Sequence, residues 1–311
     1  MKEYNDSRDA VFQELYQLAL NDKNVMLLSA DTGAMMFREF KKNIPEQFYN
    51  VGIAEQNLIS VAAGLALTGK RVFLFGLTNF LTLRCYEQIK IDLCCMNLPV
   101  TILGMGTGYV YSDDGPTHHM TEDVSIMRAL PGMTIWNPSD YTMMASLVHL
   151  AYRNNCPGYI RLDKGPFAHI YDFDDPDFSK GIYLLRKGND VTIISTGIMV
   201  TQAFKVADEL EDSGIRTGII DLYRLKPVNS ELLIEAVKDT KRIVTLEEHS
   251  IIGGLGSIVC ETLAQNGISI PVKMIGIPDT FRREAYDREK MRSLDGIDAA
   301  SVITTIKKWV L

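Results

Sequence analysis

The sequence predicts an α/β protein made of two parallel-sheet domains, and three observations carry that expectation. Short apolar runs of strand length alternate with amphipathic stretches of helix length almost from end to end. Such alternation marks βα units, whose parallel sheets are covered by helices on both faces. The chain is 311 residues long, and domains of about 100–200 residues make two the natural number. The alternation breaks between Lys164 and Lys180, where Gly165-Pro166 is followed by Asp172, Asp174, Asp175, Pro176 and Asp177 without helical or strand period. That stretch reads as a linker. The expected division is a first domain over 1–170, a linker over 171–184 and a smaller domain over 185–311.

The elements follow in order. Residues 7–20 place Val11, Leu15 and Leu18 on one helical face, with Asp6 or Ser7 as N-cap. Val25-Met-Leu-Leu-Ser29 is a buried strand. An Ala/Gly-rich helix over 54–68 stops at Gly69, a usual C-cap residue. Arg71-Val-Phe-Leu-Phe75 is a strand, 84–95 a helix, and Val100-Thr-Ile-Leu-Gly104 a strand. Helices are expected near 122–130 and 140–153, with strands near 133–136 and 158–162. Beyond the linker come strands over 190–195, 216–221, 242–246 and 272–276, alternating with helices near 199–212, 229–239 and 254–266.

Composition excludes several classes. The 32 basic and 39 acidic side chains leave a net charge of −7 with no basic run, which is poorly suited to phosphate backbones or membrane surfaces. The first residues alternate charge with apolar groups and lack the apolar core of a secretory signal. No segment approaches the roughly 18 apolar residues of a membrane span. The five cysteines (Cys85, Cys94, Cys95, Cys156, Cys260) are odd in number and lack paired metal spacing, as in a reduced, cytoplasmic chain.

Ligands of parallel sheets sit beyond the carboxyl ends of strands. The segment after Val100–Leu103 begins Gly104-x-Gly106, but a dinucleotide fingerprint needs glycine where Tyr109 stands. Farther on, Asp113, Asp114, His118 and His119 crowd around Gly115-Pro116. This is either a solvated turn or a catalytic group; a metal site is disfavoured, because adjacent histidines do not easily face one ion. Glu55 opens an apolar helix, where a carboxylate either favours the helix dipole or starts near the interior, needs a partner and suits proton exchange. Phe80 fits a core position or a stacking platform. Arg8 and Arg161 are single cations suited to ion pairs or an anion site, and Gly253-Gly-Leu-Gly-Ser257 fits a phosphate cradle or close helix packing.

Taken together, Ser29-Ala-Asp31, Gly52-Ile-Ala-Glu-Gln-Asn57, Asp114-Gly-Pro-Thr-His118 and Leu246-Glu-Glu-His-Ser-Ile-Ile-Gly-Gly-Leu-Gly-Ser257 resemble the C-terminal half of transketolase, in order and across nearly the whole chain. The resemblance implies a pyrimidine-binding domain followed by the smaller transketolase C-terminal domain. It implies that Glu55 bonds N1′ of the aminopyrimidine of thiamine diphosphate and that Phe80 packs on that ring. By the same likeness His118 contacts substrate oxygens as a catalytic group, Asp114 recognises the donor C2 hydroxyl, and Arg8 and Arg161 hold a sugar phosphate.

The departures are informative. A serine and a histidine that touch the phosphate in ordinary transketolases fall near Met35 and Gly106 here. The Gly-Asp-Gly motif of the diphosphate-binding domain is missing from the sequence, so Mg²⁺ and the diphosphate are expected to be held mainly by a partner. That partner is a separate N-terminal transketolase subunit, in an α₂β₂ heterotetramer. The expected activity is transfer of a two-carbon ketol unit from a ketose to an aldose. Three alternatives stand beside it. One is the β subunit of a 2-oxo acid dehydrogenase; another is a 1-deoxyxylulose-phosphate synthase-like enzyme, suggested by Arg84-Cys-Tyr-Glu-Gln88 and Leu98-Pro99. The third is a non-catalytic subunit that keeps the fold.

Overall fold

The computed structural model describes residues 7–164, 167–171 and 176–310. The candidate N-cap Asp6 and the linker residues Gly165, Pro166, Asp172, Asp174 and Asp175 lie outside the described residues. The chain divides into two compact units. One runs to Thr107 and takes in Met127–Pro176; the other combines Gly108–Ile126 with the chain from Asp177 onward.

The first unit opens with α1 (Ser7–Asn21), β1 (Val25–Ser29), α2 (Phe37–Asn43), β2 (Phe48–Asn50) and α3 (Glu55–Leu67). It continues through β3 (Arg71–Leu77), the short helices α4 (Thr78–Thr82) and α5 (Tyr86–Gln88), and β4 (Val100–Met105). Then α6 (Asp123–Arg128), which begins in the second unit and ends in the first, is followed by β5 (Thr134–Trp136), α7 (Tyr141–Arg153) and β6 (Gly158–Leu162). The expected helix over 84–95 becomes α5 and a π-helical stretch, Ile89–Cys95. The six strands of this unit lie in the order β5-β6-β4-β3-β1-β2, and every pairing among them is parallel. Buried β1, β4, β5 and β6 expose none of their residues, which is why they read as continuous apolar runs.

Aromatic rings wedge the helices of this unit onto its sheet. Phe12 of α1 meets Phe75 of β3 edge-on at 4.8 Å between centroids and Phe37 of α2 at 5.1 Å. Phe12 is fully buried. Phe12→Ala is expected to cost about 3–5 kcal/mol of stability, through lost transfer energy and a residual cavity. Urea denaturation followed by far-UV circular dichroism measures that loss.

The second unit carries β7 (Tyr183–Arg186), β8 (Val191–Ser195), α8 (Met199–Asp212), β9 (Thr217–Asp221), β10 (Arg224–Lys226) and α9 (Ser230–Val237). Next come β11 (Ile243–Ser250), α10 (Leu255–Gln265), β12 (Val272–Ile277), α11 (Arg288–Asp295) and α12 (Ala299–Val310). Its five-stranded sheet runs β12-β11-β8-β9-β7. Edge strand β7 is antiparallel to β9, so this sheet is mixed and not purely parallel as expected. β7 lies inside or just after the stretch read as linker, where Phe178 and Ile182 are buried. The Phe178 ring packs edge-on against Tyr183 and Tyr223.

β11 is longer than the apolar run that announced it. It extends past Leu246 through Glu247, Glu248, His249 and Ser250, and the first three are buried despite their charge or polarity. Helices α11 and α12 were not expected. Among the described residues no helix is long and apolar enough to cross a membrane.

Candidate functional site

In the first unit Glu55 and Phe80 follow the carboxyl ends of β2 and β3. The chain leaving β1 turns at Asp31, whose φ of 54° is uncommon for a non-glycine residue. The last residue of β2 holds it there, because Asn50 Oδ1 accepts from the Asp31 N–H at 3.0 Å. Glu55 is the first residue of α3; it follows Ala54, which offers no side-chain cap. Glu55 is 5% exposed, and its carboxylate accepts from Arg84 Nη1 at 2.7 Å. The guanidinium of Arg84 also lies over the ring of Phe80, 4.6 Å from its centroid. Arg84 itself remains half exposed, so solvent screens the pair and it contributes little to stability.

Three groups therefore converge: a buried carboxylate, an aromatic face, and between them a flat group with N–H donors. The partner that a buried Glu55 requires is Arg84, a residue 29 positions away whose pairing has no local signal. The Phe80 to Arg84 spacing of four is the one hint the sequence offers.

Cys85 follows, fully buried, with its thiol against the Phe80 carbonyl at 3.3 Å. Burial first, then the charge of Glu55, pushes this thiol up to about 12, while Arg84 partly offsets them. Thiolate is the reactive form. Alkylation by iodoacetamide at pH 8 is expected to spare Cys85 and to modify exposed Cys95, as peptide mass spectrometry would show.

Arg161 is buried within β6, paired in register with Gly104 of β4. It stands inside the strand and not beyond its end. Arg8 is half-buried on α1, Met35 is exposed, and Gly106 takes a φ of 89°.

The remaining candidates lie in the second unit. Gly108 and Met120 exchange backbone hydrogen bonds at 2.7 and 3.0 Å, closing a loop between them. Asp113 and Asp114 are exposed in a single 3-10 turn, Ser112–Asp114. Gly115 then takes φ 74° and ψ −168°, a conformation that only glycine adopts without strain. His118 is half-buried, with Nδ1 3.0 Å from the Thr117 hydroxyl and its ring edge-on to Tyr111. His119 points inward and donates from Nε2 to the Ser112 carbonyl at 3.0 Å. The two adjacent histidines thus have separate surroundings. Among the described residues no three His, Cys, Asp or Glu side chains cluster as a metal site.

The glycine-rich segment 253–257 is occupied as well. The Leu255 and Gly256 N–H groups donate to the Glu247 carboxylate at 2.6 and 2.9 Å, taking the donors a phosphate would need. A Cβ on Gly256 would lie 2.8 Å from Met274, so close packing of α10 on β12 accounts for that glycine.

Comparison with known proteins adds a decisive match. The family described as "Transketolase, pyrimidine binding domain" matches residues 4–168, and "Transketolase, C-terminal domain" matches 181–302. The chain belongs to the transketolase family. One of the relatives it resembles is a subunit of the apulose-4-phosphate transketolase of Phocaeicola vulgatus, 39% identical over 274 residues, covering 88% of this chain and 87% of that one. A solved structure described as a split gene transketolase, inactive beta4 tetramer, superposes with a TM-score of 0.87 at 35% identity and covers 98% of both chains. 1-Deoxy-D-xylulose-5-phosphate synthase 1 of Geobacter sulfurreducens is 38% identical over 300 residues, 95% of this chain but 47% of that protein.

For a transketolase-family chain, thiamine diphosphate is the implied cofactor. Its aminopyrimidine is a flat ring, and the Arg84 guanidinium bonded to Glu55 and lying over Phe80 is a flat group of similar character. The residues fit that half of the cofactor. Glu55 would hold N1′ and Phe80 the ring face, while the bound cofactor supplies carbanion chemistry.

Proposed function

We propose that this chain is the C-terminal subunit of a two-chain, thiamine diphosphate-dependent transketolase that moves a two-carbon ketol unit from a ketose to an aldose. The observation that carries the reading is the buried Glu55 carboxylate, already bonded to a flat N–H donor that lies over Phe80. A carboxylate in that position would hold the N1′ proton of the bound cofactor and so favour proton exchange at its 4′-amino group. Asp114 would accept from the donor C2 hydroxyl. His118 would donate to the substrate oxygen on which charge develops, and Arg8 and Arg161 would hold an anionic sugar phosphate.

The reading includes a partner. A separate N-terminal subunit would bring the diphosphate-binding domain and Mg²⁺, in an α₂β₂ assembly. The near-complete two-way coverage with the Phocaeicola vulgatus relative supports this, because that relative is named as one subunit of a transketolase. Five free cysteines suit a cytoplasmic setting.

The test is calorimetric titration of thiamine diphosphate with Mg²⁺ into this chain alone and into the chain co-purified with a diphosphate-domain partner. Binding only by the mixture is the expected result; binding by neither, with the complex confirmed by light scattering, sinks the proposal. The 38% identity with a 1-deoxyxylulose-phosphate synthase favours one second reading. A 1-deoxy product requires a transferred unit without the terminal hydroxyl, so turnover with 2-oxo acid donors and none with ketoses would select it.

A further inference from the structure

We propose that His249 and Glu248 are positioning residues for the loop that carries Asp114 and His118, a role that rests on the substrate-binding reading above. The carboxyl end of β11 sets Glu247, Glu248 and His249 in succession in the interior. Such a run is costly to bury unless every group is bonded. Glu247 caps α10. The other two reach back to the opposite feet of one loop.

At the first foot, Glu248 Oε1 accepts from the Tyr109 N–H at 2.8 Å, and Arg288 holds the same oxygen at 2.7 Å. Arg292 bonds the other oxygen. A side chain at Gly108 would collide with Glu248, so the backbone approaches this carboxylate as closely as glycine allows. Tyr109 adds two side-chain contacts: its hydroxyl donates to Asp295, and its ring packs edge-on against His119 at 5.1 Å.

At the second foot, the His249 ring is fixed by two backbone groups. Nδ1 donates to the Ser250 carbonyl at 2.8 Å, and Nε2 accepts from the Val124 N–H at 3.1 Å. The Asp123 carboxylate also stands 3.8 Å from Nε2 and the Glu247 carboxylate 3.7 Å from Nδ1, so the ring is enclosed on both sides. Val124 lies in the first turn of α6, where the N–H has no intrahelical acceptor. The neighbouring Ser250 N–H donates to the Thr121 carbonyl at 2.7 Å, and the Ser125 hydroxyl donates to the Ile252 carbonyl.

The Gly108–Met120 bridge closes the loop between these two anchors, so Asp114 and His118 sit on a ring tied at both ends. Fixing that ring before substrate arrives removes an ordering cost from binding. The second unit thus shapes substrate recognition, and the Leu246–Ser257 motif gains a role beyond packing.

The experiment uses the complex with the diphosphate-domain partner and follows ketose KM, kcat and thiamine diphosphate affinity. His249→Leu leaves the Val124 N–H without an acceptor. It is expected to raise ketose KM about tenfold, with cofactor affinity unchanged. Amide hydrogen exchange over 120–126 in the full chain should quicken about tenfold. His249→Gln, whose amide oxygen replaces Nε2 as acceptor, should restore most of both. Tyr109→Phe, which keeps the backbone bond to Glu248, should shift KM in the same direction by less and guards against a misfolded His249→Leu. Asp114→Asn and His118→Ala serve as reference variants. If they raise KM while His249→Leu and Tyr109→Phe leave it at the wild-type value, the positioning role is overturned. If Asp114→Asn and His118→Ala themselves leave KM unchanged, the substrate-loop reading fails and the inference fails with it.

Discussion

Replacing Glu55 with Gln in the complex with its diphosphate-domain partner is expected to lower ketol-transfer turnover by about 10²–10⁴-fold while the assembly stays intact. The substitution preserves shape and one acceptor oxygen but removes the charge. A neutral amide is a much weaker partner for a proton held on a ring nitrogen, so the effect should fall on turnover far more than on assembly. The fold should tolerate the change. Glu55 is buried, but its partner Arg84 is half exposed and can return to water, so the lost pair is worth about 0–1 kcal/mol. Light scattering and thermal melting would establish that the variant complex forms, and a steady-state assay with a ketose donor would give the rate. Turnover within a few-fold of wild type would remove Glu55 from the chemistry and leave it as the anchor of Arg84.

Much of the scaffold of each unit was legible. Strands β1 and β6 and helix α8 run over the expected residues, because a continuous apolar run or a clean helical period fixes each one locally. Helix α12 was not expected, although Val302, Ile303 and Ile306 carry a readable helical period. Helix α11 was not expected either. It buries Met291 and Arg292, and Arg292 is held both by Glu289 on the same helix and by Glu248, 44 positions earlier. A short helix made almost wholly of charged and polar residues reads as a solvated stretch.

The same limit applies to the site. Glu55 at the head of an apolar helix and Asp114 and His118 beside a Gly-Pro turn each had an ordinary structural reading, and it was the resemblance of their motifs to transketolase that marked them as candidates. Their supporting contacts left no local signal, because each is long-range: Arg84 for Glu55, Glu248 for Tyr109, His249 for Val124. Tyr109 is instructive, since it disqualified a dinucleotide fingerprint by replacing the needed glycine. Its role in the structure is to offer a backbone N–H to a carboxylate 139 residues away. The extension of β11 through Glu247–Ser250 was hidden for a related reason. Strand patterns are recognised by apolar side chains, and these positions bury charge instead.

Glu248 carries the other large expected effect, and its sign follows from two opposed forces. Burial alone would push the carboxyl up; the Arg288 and Arg292 guanidinium groups, with the Tyr109 N–H, more than offset this and hold it down to about 2 from an ordinary 4.5. A carboxylate whose folded pKa is depressed stabilises the fold fully above its unfolded pKa and loses that contribution as pH falls toward the folded value. The window is therefore about pH 4.5 down to about 2, and the depression corresponds to about 3 kcal/mol. Glu248→Ala removes the charge at every pH and leaves the buried Arg292 with only the largely exposed Glu289 as carboxylate partner. The cost at neutral pH should be about 3–5 kcal/mol, the range for breaking a buried pair from one side. Urea denaturation of both proteins between pH 7 and pH 3 would compare them. The wild-type stability should fall more steeply below pH 4.5, so that the gap between the two narrows with acidification. Parallel curves would mean that Glu248 is not held ionised by its arginines. Because the same carboxylate accepts the Tyr109 N–H, acid that protonates it also loosens one foot of the loop bearing Asp114 and His118, so local exchange over 108–111 should quicken before the second unit unfolds.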